Sequence, residues 1–237
     1  MNYRYFLYSI IQFFLLLGLL FPVNLIVEPY LQDATPNSIY ILWETDENTE
    51  SLVEWGMYVF LTEMSTGSSI SNYGSSRIHT VQLSGLQPET RYYYRVEYDG
   101  SYSDLYNFIT PPEPSSENSF RIIAMSDMQR DGSNPNKFNE IVHDGIIDYI
   151  SEEHSNDLAQ ELAMVLVPGD LVVTGNSYYQ WQDHFFGPSE DLFSYVPMYP
   201  VFGNHEQNTD YFIKYFHMPD NGTPGYEEHW YYTDYSN

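Results

Sequence analysis

Val196-Pro-Met-Tyr-Pro-Val-Phe202 runs directly into Gly203-Asn204-His205-Glu206, an apolar segment that ends in a glycine and then an amide, an imidazole and a carboxylate. Two stretches further up the chain are built the same way. Phe120-Arg-Ile-Ile-Ala-Met125 is followed by Ser126-Asp127, and Leu162-Ala-Met-Val-Leu-Val-Pro168 by Gly169-Asp170. Each is a short β-like hydrophobic run that ends in a small residue and then a hard oxygen donor. In an open α/β sheet, ligands bind just beyond the carboxyl ends of the strands. Three such ends bring two carboxylates, an amide and an imidazole to one crevice, the donor set of a dinuclear metal site for hydrolysis.

The residues between these runs support an α/β reading. Lys137–Glu153 fits a helix, with Phe138, Ile141, Val142, Ile146 and Ile150 spaced for one buried face. Leu162–Pro168 is too apolar to be half-exposed and reads as a central strand. Tyr178–Phe186 reads as helical and Val196–Phe202 as the third strand. Strand and helix thus alternate from residue 120 onward.

Residues 25–112 follow another period. Ser38-Ile-Tyr-Ile-Leu-Trp-Glu44 and Ser51-Leu-Val-Glu-Trp-Gly56 are short strands flanking the turn-forming Asp46-Glu-Asn48, with Ile39, Ile41 and Trp43 sharing a face. His79–Leu83, Arg91–Tyr98 and Leu105–Thr110 add three more, a spacing that implies a sandwich. Leu86-Gln-Pro-Glu-Thr-Arg-Tyr92 is similar to the tyrosine corner of fibronectin type III domains, with Tyr94 and Val96 pointing inward behind it. Pro111-Pro-Glu-Pro-Ser-Ser-Glu-Asn118 stops strand pairing, so 113–119 is assigned as a linker and 120–237 as the second domain.

Asp127 after a first strand, Gly169-Asp170, and Gly203-Asn204-His205-Glu206, in that order, resemble the opening motifs of calcineurin-like metallophosphoesterases. With a fibronectin-like sandwich in front, the likeness is to the purple acid phosphatase type. The fold this implies is an all-β sandwich followed by an incomplete α/β domain of mixed sheets flanked by helices. The resemblance implies two metal ions, Fe, Zn or Mn. Asp127 would bind the first, Asp170 would bridge both, and Asn204 would bind the second. His205 would face the phosphate and stabilise or protonate the leaving oxygen, and a metal-bound hydroxide would attack phosphorus in line. The substrate would be a small phosphoester, monoester or diester.

Three departures from the family pattern stand out. The first motif reads Asp127-Met128-Gln129, where many members carry Asp-x-His, so Gln129 either coordinates through its amide oxygen or only lines the site. Val173 stands where the purple enzymes place an iron-binding tyrosine, so no iron–tyrosinate centre is expected. The later lone His and Gly-His-x-His pair are absent, and neither His217 nor His229 sits at a strand end. The chain is therefore read as the front part of a longer enzyme or a truncated product, inactive alone. The alternative is a non-catalytic exported adhesion or partner-binding protein with a degenerate phosphoesterase domain.

Bulk composition narrows the chemistry further. Across 237 residues, 33 acidic side chains face 8 basic ones, a formal charge of -25 that argues against binding nucleic-acid phosphates. Zero cysteines exclude disulfides, thiolate metal sites and thiol nucleophiles. Residues 1–24 read as an export signal or anchor, with Arg4 before the apolar Phe6–Phe21 stretch. The expected location is outside the cytoplasm, with membrane association only if this segment is retained.

Overall fold

The structure is a computed structural model that describes residues 22–206, 209–226 and 229–236. The export segment proposed at residues 1–24 lies almost wholly outside them. Among the described residues no helix is long and apolar enough to cross a membrane.

The alternation of β-branched and aromatic residues from Leu25 to Ile109 builds two antiparallel sheets. One has the order β1 (Leu25–Thr35), β2 (Ser38–Thr45), β6 (Arg77–Ser84), β5 (Ser68–Ser71). The other runs β4 (Glu63–Thr66), β3 (Leu52–Gly56), β7 (Arg91–Tyr98), β8 (Ser101–Tyr102), with β9 (Tyr106–Ile109) also on β7. Ile39, Ile41 and Trp43 of β2 meet Val53, Tyr94, Val96 and Phe108 between the sheets, as their period of two requires. Tyr92 makes the expected corner: its hydroxyl accepts the Gln87 N–H at 3.0 Å.

The second domain carries one three-stranded sheet, β10 (Ile122–Ala124), β11 (Met164–Val167) and β12 (Met198–Pro200), parallel throughout with β11 in the centre. The strands are shorter than the apolar runs that announce them, because the flanking residues already turn into the site loops. One helical rod covers 137–153, α at each end and π-wound over Ile141–Ile147, and buries Phe138, Val142, Ile146 and Ile150. The second rod departs from expectation: it continues beyond Phe186, through Gly187-Pro188, to Phe193. A proline ring ordinarily collides with the carbonyl four residues back. The wider π-turn over Trp181–Phe186, in which the Gly187 N–H reaches Gln182 O, places that proline where no α-type bond is lost.

Trp230–Asp234 forms no strand although it is rich in aromatic residues. Asn221 takes the place of a partner strand, its amide accepting the Tyr232 N–H at 3.0 Å and donating to the Tyr232 carbonyl at 2.8 Å. A side chain thus satisfies backbone groups that a ladder would otherwise pair.

The two domains share a core. Val27, Tyr30, Leu42 and Ile78 point away from the sandwich interior and pack with Trp181, Phe186, Tyr215 and Phe216. Sheet β1-β2-β6 is consequently buried on both faces. Polar groups fix the seam: Ser194 Oγ donates to Pro29 O at 2.7 Å, Tyr94 OH to Ser194 O at 2.8 Å, and Arg91 grips Asp157 through two bonds of 2.7 and 3.0 Å. At its centre, buried Glu44 accepts from Ser76, Asn72, Tyr215 and Tyr178 at 2.7–3.1 Å, and from Gln182 at 3.4 Å.

Candidate metal-binding site

Parallel pairing in register sets the three motif loops side by side. Ile122 pairs with Met164 and Val165 with Met198, so the strands end at one edge. Asp127 follows β10, Asp170 follows β11 and Asn204 follows β12 by similar short stretches. The loops are stitched together beyond the strands. Asp127 N donates to Gly169 O at 3.4 Å and Gln129 N to Asp170 O at 3.2 Å. On the other side, His205 N donates to Asp170 Oδ1 at 3.1 Å. Asp170, after the central strand, therefore touches both neighbouring motifs, the first through its backbone carbonyl and the third through its carboxylate.

The local backbone is unusual at both aspartates. Asp127 and Asp170 each have φ 57°, in the left-handed region that costs an ordinary residue about 1–2 kcal/mol. Gly169 beside them has φ 90°, and a β-carbon there would collide with the backbone of Gly203. A β-carbon on Gly203 would in turn strike the Asp170 carboxylate and its backbone nitrogen. The two glycines are required because the second and third loops touch backbone to backbone.

Glu206 underlies this arrangement, and sequence reasoning gave it no role. It is fully buried, and its two oxygens accept from Gly203 N at 2.8 Å, Leu171 N at 2.8 Å, Asp170 N at 2.9 Å and Val172 N at 3.3 Å. One carboxylate thus binds both loops through their amides and fixes the left-handed turn at Asp170. Its position as the last residue of the Gly-Asn-His-Glu string was the available signal.

His205 is half-buried, and its Nδ1 lies 2.7 Å from the Val173 carbonyl. A carbonyl only accepts, so Nδ1 carries the proton and Nε2 is left as the working nitrogen. Val173 therefore serves through its backbone where a coloured iron centre would need a tyrosine. Asp127 and Asn204 are exposed at the edge, with Asp127 Oδ2 accepting from Ser126 Oγ at 2.6 Å and Lys137 Nζ donating to the Asp127 carbonyl at 2.9 Å.

The residues fit a cation in part. Gln129 Oε1 is buried with no hydrogen-bond partner, an acceptor that a metal would satisfy. Among the described residues no three His, Asp or Glu side chains form a metal-holding group by themselves, so a cation at this edge would need the amides of Asn204 and Gln129 as well. The remaining histidines serve elsewhere. His79 is buried between Thr45 and Ser51, His217 stacks on Tyr40 at 3.8 Å, His143 lies 3.8 Å from Asp191, and His229 packs on Phe202 at 4.8 Å. His184, on the helix, contacts Arg130 at 3.3 Å.

Residues 120–237 match the family model for calcineurin-like phosphoesterases, and residues 26–110 match that for the purple acid phosphatase N-terminal domain. The chain belongs to the calcineurin-like phosphoesterases. Among its curated relatives, the chain is 27% identical to purple acid phosphatase 21 of Arabidopsis thaliana, over 70% of its own length and 34% of the relative's. It is 31% identical to probable inactive purple acid phosphatase 24 of the same plant, over 55% of its own length and 22% of the relative's. The chain thus spans about a fifth to a third of these relatives. The solved structure of PhoD shares the fold, with TM-score 0.52 and 13% identity over 84% of this chain and 42% of that one.

Proposed function

We propose that this chain carries the first half of a dinuclear phosphoesterase site, in which Asp127, Asp170 and Asn204, with Gln129 in support, hold two metal ions for hydrolysis of a small phosphoester. The observation that carries the reading is the pair of left-handed aspartates at neighbouring strand ends, the second of them held by the Glu206 carboxylate. Strain of this kind persists where the surroundings over-determine it, and it gathers at functional sites. When bound, the metal pair supplies Lewis acidity and an acidified water. The chain's own residues do the rest. Asp170 spans the two neighbouring loops, Gly203 keeps the crevice open, and the Val173 carbonyl holds the Nδ1–H of His205 so that Nε2 is the free nitrogen, which in the imidazolium form would give its proton to the leaving oxygen.

The reading extends to an exported protein, to Fe, Zn or Mn as the metal, and to a small-molecule substrate rather than nucleic acid, the last supported by the charge of -25. Hydrolysis of an aryl phosphate with added divalent metal tests it. A longer protein that continues as the relatives do should turn over, and its Asp170→Asn variant should be inactive. Undiminished turnover in that variant contradicts the proposal. A second reading, a non-catalytic exported protein with a degenerate site, is favoured by the relatives named probable inactive. It predicts no metal-dependent turnover in the longer protein.

A further inference from the structure

A cavity of about 180 Å³ opens beside the first motif loop, between the start of the 137–153 helix and the side of the 178–193 helix. Arg130, His184, Asn136 and Asn139 line it, with Asp183 and the buried Met128. Arg130 is set apart by its place. In a chain where acidic residues outnumber basic ones 33 to 8, Arg91, Arg95 and Arg121 each hold a carboxylate at 2.6–2.7 Å. Among the described residues Arg77, on β6 of the sandwich, and Arg130, three positions beyond Asp127, hold none, and the Arg130 guanidinium meets the His184 ring nitrogen at 3.3 Å. A guanidinium that donates to a neutral imidazole spends its charge on no partner, although Asp183 lines the same cavity.

Two independent features point the same way. His184 Nδ1 is buried without a hydrogen-bond partner, and burial together with the Arg130 charge holds the imidazole below its ordinary basicity. The helix that begins at Lys137 has no side-chain cap from Asn136; Asn134 O takes the Lys137 N–H at 3.3 Å, and the positive end of the helix dipole faces the cavity wall. Guanidinium, helix start and two asparagine amides are donors, and they converge beside the edge where Asp127 sits. This is the chemistry that receives an oxyanion.

We propose that this cavity is an anion subsite that takes a second acidic group of the substrate, phosphate or carboxylate, with Arg130 as its specificity-determining residue. The inference rests on the phosphoesterase reading for its substrate class: phosphoesters that carry a second anion, in preference to those with a neutral leaving group. Met128, buried in the wall of the cavity, anchors the loop that carries Arg130. In an otherwise anionic molecule, a guanidinium without a carboxylate partner here also admits an anionic substrate to an edge that its own carboxylates would repel.

Calorimetric titration of the chain with methylenediphosphonate, and with methylphosphonate, tests the subsite apart from the metal edge. In chelator, the wild type should bind the diphosphonate roughly tenfold or more tightly than Arg130→Gln, the scale of a lost charge-assisted contact. Arg130→Lys should recover part of the difference, and Asp170→Asn should match the wild type. Equal binding by wild type and Arg130→Gln in chelator overturns the subsite. Added Mn2+ reads the other half. If the ion tightens phosphonate binding in the wild type but not in Asp170→Asn, the phosphoesterase reading stands even where the subsite has failed. If the chelator difference is present while Mn2+ adds nothing, the subsite stands and the metal reading fails. Because Arg130 is exposed, its replacement should leave thermal unfolding unchanged, which checks that folding is not the cause.

Discussion

Glu44 and Glu206 are both fully buried, yet they are held in opposite ways. Glu44, in the seam between the domains, is surrounded by side chains: the hydroxyls of Ser76, Tyr178 and Tyr215 and the amides of Asn72 and Gln182. Glu206, beneath the loops at the strand edge, is surrounded by backbone N–H groups of Gly203, Asp170, Leu171 and Val172. A hydroxyl can turn and become an acceptor, whereas a backbone N–H can only donate. The seam is therefore tolerant of a change in charge, and the site is not. The first arrangement glues two bodies together, and the second fixes the φ and ψ of a loop.

The largest effect should come from Glu206→Gln. The new amide nitrogen faces donors, and each buried donor left unmet costs about 1–3 kcal/mol. With two donors opposed, the expected loss is roughly 2–6 kcal/mol in denaturant unfolding, together with loss of metal binding as the Asp170 turn relaxes. A variant as stable as wild type would remove the contrast at its root.

Next in size is a response to acid that belongs to the sandwich. His79 is buried against Trp43 with Thr45 and Ser51 on its two nitrogens, and burial, aided by the Arg77 charge, pushes its pKa down from 6.5 to about 4. The unfolded chain takes up the proton near pH 6.5 and the folded chain does not. The stabilisation is thus complete above pH 6.5 and is lost progressively towards pH 4, by up to about 3 kcal/mol. Unfolding midpoints measured across this window should fall in the wild type and fall less in His79→Gln. Equal slopes would place the acid response elsewhere.

Glu44→Gln sharpens the comparison from the other side. Its hydroxyl partners can reorient around an amide, so the expected cost is only about 1–2 kcal/mol, with metal affinity unchanged. A loss equal to that of Glu206→Gln would show that rotor freedom is not what separates the two sites. Tyr92→Phe should cost least, about 1 kcal/mol for the acceptor removed from Gln87 N–H, with no effect on the seam. Thermal unfolding followed by circular dichroism resolves both changes.

Much of this architecture was legible because chemistry follows hydrophobicity along the chain. The apolar runs before Asp170 and Asn204 became buried strands, the run before Asp127 became an edge strand with Ile122 and Ala124 exposed, and parallel pairing carries whatever follows all three to one edge. The seam was not legible. On β2, Ile39, Ile41 and Trp43 declared one buried face, and Tyr40, Leu42 and Glu44 alternate with them as a solvent face would. Only the arrival of Trp181, Tyr178 and Tyr215 from the second domain makes that face interior. The same limit explains the helix that passes Pro188 and the Trp230–Asp234 segment, where a π-turn and one asparagine side chain do work that local sequence preference cannot announce. Glu206 was visible as a letter of the motif, but its four backbone partners are set by the meeting of two loops.

The central claim is that the strand-edge oxygens of Asp127, Asp170 and Asn204 form one metal-binding edge. Titration of the chain with Mn2+, followed by electron paramagnetic resonance of the free ion, tests it most directly. The account predicts weak, saturable binding that Asp170→Asn abolishes and Glu44→Gln leaves intact. Binding of the same strength in Asp170→Asn, or no binding by the wild type, would contradict it.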